Sequence, residues 1–136
     1  MTTCYVDTSV LLHVLARDDG AMAYRWFTGL DPDDRLVASV LVRLETIRAF
    51  VRDRTDPGLA EPFLRHLALI PVGPAVLRVA ERVPGPLRTL DAIHLATALQ
   101  GPDTVMVTHD IRLGEISRGA GLSVFDPVGV PAGPSS

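Results

Sequence analysis

Hydrophobic residues along this chain alternate between short continuous runs and longer stretches in which they recur at helical spacing. The short runs predict five strands, at Cys4–Val6, Leu36–Ala38, Leu69–Val72, Thr104–Val107 and Leu122–Phe125. The longer stretches predict seven helices, at residues 9–16, 21–29, 40–53, 59–68, 75–82, 90–100 and 111–119. Strands that alternate with helices favour an α/β fold, a three-layer sandwich with a central, mainly parallel sheet of about five strands.

Two of the predicted helices carry an acidic residue beside apolar positions. The helix at 40–53 has one predicted buried face, formed by four apolar side chains: Leu41, Leu44, Ile47 and Val51. Glu45 borders this face. The helix at 90–100 is apolar nearly all round, which predicts burial, and Asp91 lies in its first turn. Aspartate is almost never fully buried without a partner, so Asp91 is a candidate functional residue.

A length of 136 residues suits one domain. The last predicted strand ends at Phe125, and Pro, Gly and Ser dominate from Pro127 to the final Ser136. We therefore predict a single domain over residues 1–126 and a flexible C-terminal tail over residues 127–136.

Composition excludes several classes of function. All 13 basic residues are arginine, and without lysine the chain forms neither a Walker-type phosphate loop nor a Schiff base. The one cysteine, Cys4, leaves no internal disulfide and no Cys/His zinc cluster. The net charge of −3 does not by itself indicate nucleic-acid binding. With no signal-peptide pattern and no apolar run long enough to span a membrane, we expect a cytoplasmic protein that has no membrane partner.

Four acidic residues lie where a parallel sheet binds its ligands, beyond the carboxyl ends of the strands or on the adjoining helices. Asp7 follows the first predicted strand and Asp110 follows the fourth, while Glu45 and Asp91 lie on helices. Each has a structural alternative. Asp7 and Asp110 would serve as helix caps, and Glu45 would pair with a nearby arginine. Asp91, in the first turn of its helix, would interact favourably with the positive end of the helix dipole. The joint pattern favours convergence of the four.

Converging carboxylates need compensation. Two of them about 4 Å apart repel by roughly 4 kcal/mol at an effective dielectric constant of 20. Shared protons, arginine or a cation would offset this repulsion. Hard oxygen ligands select Mg²⁺ or Mn²⁺. Such an ion would activate water and orient a phosphodiester.

Four segments resemble the acidic motifs of the PIN-domain nucleases. They are Tyr5–Leu12, Val42–Thr46, Leu87–Ala96 and Val107–Leu113, and the third is the most specific of them. The resemblance extends from residue 4 to about residue 126, nearly the whole chain, and the length and third motif look most like the VapC toxins.

The resemblance implies a Mg²⁺- or Mn²⁺-dependent endoribonuclease that is the toxin of a toxin–antitoxin pair. It implies catalytic and metal-ligating roles for Asp7, Glu45, Asp91 and Asp110. It also implies an RNA substrate, a homodimer, and a cognate antitoxin whose tail lies across the active-site groove.

Further residues are candidates for the same site. The hydroxyls of Ser9 and Thr108 would orient a ligating aspartate or contact substrate, and Arg88 would contact an RNA phosphate. His94 lies three residues after Asp91 on the same helix face, where a packing role is favoured. One rival interpretation is a non-catalytic binding module on the same sheet. A second, an aspartyl phosphatase, ranks well below because such enzymes use a lysine.

Overall fold

The computed structural model describes residues 2–16 and 21–128 and has the predicted α/β architecture. Its five strands are β1 (Thr3–Val6), β2 (Arg35–Ser39), β3 (Ala68–Ile70), β4 (Thr104–Val107) and β5 (Ser123–Phe125). The α-helices of the described part are α1 (Thr8–Ala16), α2 (Ala21–Thr28), α3 (Val40–Arg52), α4 (Glu61–Leu64), α5 (Pro74–Glu81), α6 (Thr89–Ala98) and α7 (Ile111–Gly119). A 3₁₀ helix at Pro57–Ala60 precedes α4.

All five strands are parallel and lie in the order β3-β2-β1-β4-β5. Cys4 in β1 pairs with Leu36 in β2 on one side and with Val105 in β4 on the other. The chain moves outward from β1 to β3 and then returns to β4 on the other side of β1. The direction of winding therefore reverses between β1 and β4, and ligands bind at such a point in open α/β sheets.

Helices cover both faces of the sheet, as the continuous apolar strands predicted. On β1, Cys4 and Val6 face a core formed with α1, α2 and α3, whereas Tyr5 faces a second core formed with α6 and α7. The alternation follows from the two-residue period of a strand. Consecutive positions of β1 therefore reach opposite layers, and Tyr5 lies beneath α6.

The predicted helix at 59–68 is wrong in its extent. The structure has the 3₁₀ helix Pro57–Ala60 and the one-turn helix α4, and β3 already begins at Ala68. Pro62 lies in the first turn of α4, a position that proline tolerates, so it marks a helix start inside the predicted span. The proline at position 71 ends β3, which is an edge strand.

The predicted buried face of α3 is right only in part, since Leu41 and Ile47 are half-buried and pack against the core. The buried residues are Val42, Thr46 and Ala49, whereas Leu44 is 56% exposed and Val51 is 45% exposed. The burial spacing of four and three residues is as helical as the predicted one, so periodicity alone did not distinguish the two faces. Because the other face is buried, the large apolar side chains of Leu44 and Val51 lie on the outer surface of α3.

The C-terminal segment packs slightly beyond the predicted domain end, since Val128 contacts the core. Most of the predicted tail, residues 129–136, lies outside the described residues. Among the described helices, none has both the length and the apolar character required to cross a membrane.

Candidate active site

Asp7 lies directly after β1, at the carboxyl edge of the sheet, and is 5% exposed. Its Oδ1 accepts a hydrogen bond from the backbone N–H of Thr8 at 2.9 Å. Its Oδ2 accepts from the hydroxyls of Ser9 at 2.8 Å and Thr108 at 2.9 Å. Burial raises the pKa of Asp7, and the charge of Asp91 adds to the rise, although these hydroxyls and His94 oppose it. The carboxylate is thus held in one orientation at an electrostatic cost.

Glu45 reaches the same edge because α3 begins immediately after β2. Ser39 ends the strand and caps the helix, its hydroxyl accepting from the backbone N–H of Leu41 at 3.1 Å. Oε1 of Glu45 accepts from the Thr8 hydroxyl at 3.0 Å and from Nε2 of His94 at 2.7 Å. Burial raises the pKa of Glu45, but the hydrogen bonds and charge of these partners bring it below its usual value.

Asp91 lies in the first turn of α6 and is 9% exposed. Nε of Arg88, the residue that precedes the helix, donates to Oδ2 of Asp91 at 3.0 Å. The Arg88 side chain is 81% exposed, whereas that of Asp91 is 12% exposed. The guanidinium therefore covers the carboxylate from the solvent side, and the hydrogen bond to Asp91 raises the pKa of Arg88.

Asp110 is the N-cap of α7. Its Oδ1 accepts from the backbone N–H of Leu113 at 2.9 Å, the contact that the capping alternative predicts. Its own backbone N–H donates to the Thr108 hydroxyl at 3.0 Å. We refer to Asp7, Glu45, Asp91 and Asp110 as the acidic group. Asp110 stands at its margin, connected to Asp7 through the Thr108 hydroxyl and close enough to Arg88 for the two charges to attract.

His94 is 1% exposed and lies in the middle of the acidic group. Its Nε2 is 2.7 Å from Oε1 of Glu45 and 4.0 Å from Oδ1 of Asp7. Its Nδ1 is 2.6 Å from the hydroxyl of Tyr5, which is fully buried. Burial lowers the pKa of His94, but the contact with Glu45 and the nearby carboxylates raise it above its usual value. Sequence reasoning favoured packing for His94 and gave Tyr5 no role.

The structure thus brings Asp7, Glu45 and Asp91 around His94 and Arg88. The remaining predicted site residues are arranged about this group. Ser9 and Thr108 turn their hydroxyls toward Asp7, and Thr108 is 2% exposed, so its hydroxyl faces the protein interior. Arg88 is the most solvent-accessible of the predicted substrate contacts.

The chemistry of the acidic group suits a hard divalent cation, since its donors are carboxylate oxygens. Oδ1 of Asp91 and Oε2 of Glu45 receive no hydrogen bond from the residues that the structure describes. Within that same part of the chain, no three acidic, histidine or cysteine side chains stand at metal-binding geometry. Arg88 lies instead against the carboxylate of Asp91, and His94 lies against that of Glu45. These contacts offset part of the repulsion between the carboxylates.

Comparison with known proteins agrees with the fold. The PIN domain family model matches residues 4–119. Ribonuclease VapC46 of Mycobacterium tuberculosis (strain ATCC 25618 / H37Rv) is 34% identical over 131 residues, which cover 93% of this chain and 99% of that relative. Ribonuclease VapC47 of Mycobacterium tuberculosis (strain CDC 1551 / Oshkosh) is 35% identical over 131 residues, covering 90% and 96%.

A solved structure has the same fold. The structure of VapBC2 from Rickettsia felis, bound to a DNA fragment from their promoter, aligns with a TM-score of 0.75 at 12% identity. The alignment covers 92% of this chain and 98% of that chain. The chain therefore belongs to the PIN-domain family, and within it to the VapC ribonucleases.

Proposed function

We propose that this protein is a divalent-metal-dependent endoribonuclease that acts as the toxin of a toxin–antitoxin pair. The observation that carries the proposal is the position of Asp7, Glu45 and Asp91, which meet at the carboxyl edge of a parallel sheet where its winding reverses. The named function of the VapC relatives, which match nearly the whole chain, supports it.

The acidic group would hold Mg²⁺ or Mn²⁺ through the carboxylates of Asp7, Glu45 and Asp91, with Asp110 at the margin. Such an ion supplies an activated water and neutralises charge on a phosphodiester. The hydrogen-bond donors around Asp7 and Glu45 keep these two carboxylates in place before any ligand arrives. This preorganisation spares the site the cost of ordering its ligands during the reaction.

Arg88 is the residue that we assign to the RNA phosphate. Its guanidinium is exposed and lies at the mouth of the acidic group. A guanidinium presents several N–H donors in one plane, which matches the geometry of a phosphate. Thr108 and Ser9 act from the other side of Asp7, by orienting its Oδ2. The hydrolysis would leave a 5′-phosphate and a 3′-hydroxyl.

An antitoxin and a second copy of this chain are the protein partners that we propose. The Rickettsia felis relative was solved as a VapBC complex, which supports an antitoxin. Beside the acidic residues, Leu90 is 45% exposed and Ile111 is 78% exposed, so the rim of the site offers apolar contacts. For the homodimer, large exposed side chains lie on α3 at Leu44 and on α5 at Leu77. An RNA substrate would place the protein in the cytoplasm.

The proposed function is tested by RNA cleavage with the purified chain, in Mg²⁺ or Mn²⁺ and again with EDTA. We expect cleavage with either ion and none with EDTA or in Asp91→Asn. The matched control is Asp103→Asn, the same change on an exposed loop before β4, at the opposite edge of the sheet. The control should cut as the unmodified chain does. RNA binding without cleavage in every condition would favour the non-catalytic module instead.

Ion binding is tested separately by thermal unfolding. A ligand that binds only the folded state stabilises it by about 2.7 kcal/mol at 100 times its Kd. We expect Mn²⁺ to raise Tm of the unmodified chain and of Asp103→Asn, and to leave Tm of Asp91→Asn unchanged. An equal rise in all three would place the ion outside the acidic group.

A further inference from the structure

We infer that Tyr5 and His94 are positioning residues, which fix the Glu45 carboxylate so that one of its oxygens remains available to a divalent cation. The inference rests on the proposed function, because it assigns these two residues to the same site. Neither residue belongs to the acidic group, and both lie beneath it. Their contacts connect the backbone of β2 to the side chain of Glu45 through three consecutive hydrogen bonds.

The first two hydrogen bonds set the tautomer of the imidazole. The backbone N–H of Ser39 donates to the hydroxyl oxygen of Tyr5 at 3.1 Å. The Tyr5 hydroxyl is fully buried, and Nδ1 of His94, 2.6 Å away, is the acceptor for its proton. A buried donor without an acceptor loses its hydrogen bond to water and gains none in return, so the arrangement with Nδ1 as acceptor is favoured. In the neutral ring the single proton then lies on Nε2, and a protonated ring also donates to Glu45 from Nε2.

The third hydrogen bond delivers that proton to Glu45. Nε2 of His94 is 2.7 Å from Oε1 of Glu45, but 4.0 Å from Oδ1 of Asp7. The second distance is too long for a hydrogen bond, so the donor is committed to Glu45. The Thr8 hydroxyl donates to the same Oε1 at 3.0 Å. Oε1 thus accepts two hydrogen bonds, and Oε2 receives none from the described residues.

Burial makes this arrangement rigid. Tyr5 is fully buried, His94 is 1% exposed and Ser39 is fully buried, while the Glu45 side chain is 29% exposed. A carboxylate at the end of a flexible side chain would otherwise lose rotamer freedom when it binds an ion. Partners of this kind, which hold a metal ligand without touching the metal, typically change metal affinity or activity by about 10- to 100-fold when they are removed.

Two amides of different reach test the role of His94. In His94→Gln an amide N–H can take the place of Nε2 and donate to Glu45. In His94→Asn the amide can take the place of Nδ1 and satisfy Tyr5, but it does not reach Glu45. We expect His94→Asn to lose about tenfold or more in Mn²⁺ affinity, measured by calorimetry, and in kcat. His94→Gln should recover most of both, although the two variants should be similarly stable.

Tyr5→Phe is the second test, because it removes one oxygen from a side chain that keeps its volume. We expect Mn²⁺ to bind more weakly, and the matched control Tyr24→Phe to bind as the unmodified chain does. Nitrogen NMR of the histidine rings supplies a readout that needs no metal or substrate. At a pH above the pKa of His94, it should find the single ring proton on Nε2 in the unmodified chain.

The outcomes separate this inference from the proposed function. If the unmodified chain cuts no RNA, the proposed function fails, and Mn²⁺ calorimetry and NMR still decide the roles of Tyr5 and His94. The inference is overturned if folded His94→Asn or folded Tyr5→Phe binds Mn²⁺ with unchanged affinity. It is also overturned if the His94 proton lies on Nδ1 in the unmodified chain.

Discussion

The hydroxyl of Thr108 donates to Oδ2 of Asp7 across 2.9 Å, although the two residues are 101 positions apart. Thr108 follows β4 and Asp7 follows β1, and these strands are neighbours in the sheet. The same hydroxyl accepts from the backbone N–H of Asp110 at 3.0 Å. One side chain therefore ties the carboxyl ends of the two central strands together and orients the most deeply buried acid.

Thr108→Val tests this connection. The change removes a buried donor to Asp7 and leaves the N–H of Asp110 without its acceptor, so we expect the free energy of unfolding to fall by about 1–3 kcal/mol. RNA cleavage should fall as Asp7 loses its orientation. Thr97→Val is the matched control, since that hydroxyl is buried but bonds only to the Ile93 carbonyl of its own helix. Equal cleavage by both variants would contradict the role of Thr108.

Asp7→Asn is expected to abolish cleavage while leaving the metal-free protein as stable as before or more stable. Burial and the charge of Asp91 raise the pKa of Asp7, so the folded state binds a proton there more tightly than the unfolded state does. At neutral pH the charged form is a cost that asparagine removes. As the pH falls through the raised pKa, the native Asp7 gains its proton and the advantage of Asn shrinks.

Urea unfolding in EDTA at neutral and at mildly acidic pH measures this difference. A variant that is less stable than the unmodified chain at neutral pH would contradict the argument. So would a stability gain that widens as the pH falls, because the sign of the pKa shift requires the opposite.

Arg88→Gln should have opposite effects on ion and substrate. The guanidinium bonds to Asp91 and competes with a cation for it, so its removal is expected to tighten Mn²⁺ binding by about two- to fivefold, the size of an exposed ion pair. The same change removes the proposed phosphate contact, so KM for RNA should rise. Arg78→Gln, an exposed arginine on α5, is the control. Weaker Mn²⁺ binding in Arg88→Gln would place Arg88 in support of the ion.

Leu44→Glu tests the proposed homodimer. Leu44 is 56% exposed on the outer surface of α3, and a charge there would be buried without a partner in a dimer that uses this surface. We expect sedimentation to find a dimer for the unmodified chain and a monomer for the variant. Leu59→Glu, at an equally exposed leucine in the 3₁₀ helix, should leave the dimer intact. A dimer that survives Leu44→Glu would place the interface elsewhere.

The sequence was sufficient for the fold class and the positions of the five strands, because doubly covered parallel strands are continuous apolar runs. It was misleading where local pattern allows two solutions. Thr46 and Ala49 contribute little to a hydrophobic pattern, so the buried face of α3 was assigned to the larger leucine and valine side chains. The helix predicted at 59–68 joined two short helices, and Pro62 lies in the first turn of the second.

The site, too, was predicted from the sequence only in part. Family motifs and strand ends pointed to Asp7, Glu45, Asp91 and Asp110, and the capping alternative anticipated the contact of Asp110 with the start of α7. The sequence placed His94 on the same helix face as Asp91 but did not predict its hydrogen-bond partners. Its partner Tyr5 is 89 positions away and Glu45 is 49 positions away. Such contacts depend on strand order and on which layer each side of β1 faces, and neither follows from a single sequence.

The most direct measurement is a crystal structure of the unmodified chain with Mn²⁺, located by its anomalous scattering. We expect a peak bounded by the carboxylates of Asp7, Glu45 and Asp91, with Oε1 of Glu45 still bonded to His94. We also expect Nε of Arg88 to lie farther from Asp91 than the present 3.0 Å. Saturating Mn²⁺ that gives no peak there, or a peak on a different surface, would contradict the central claim.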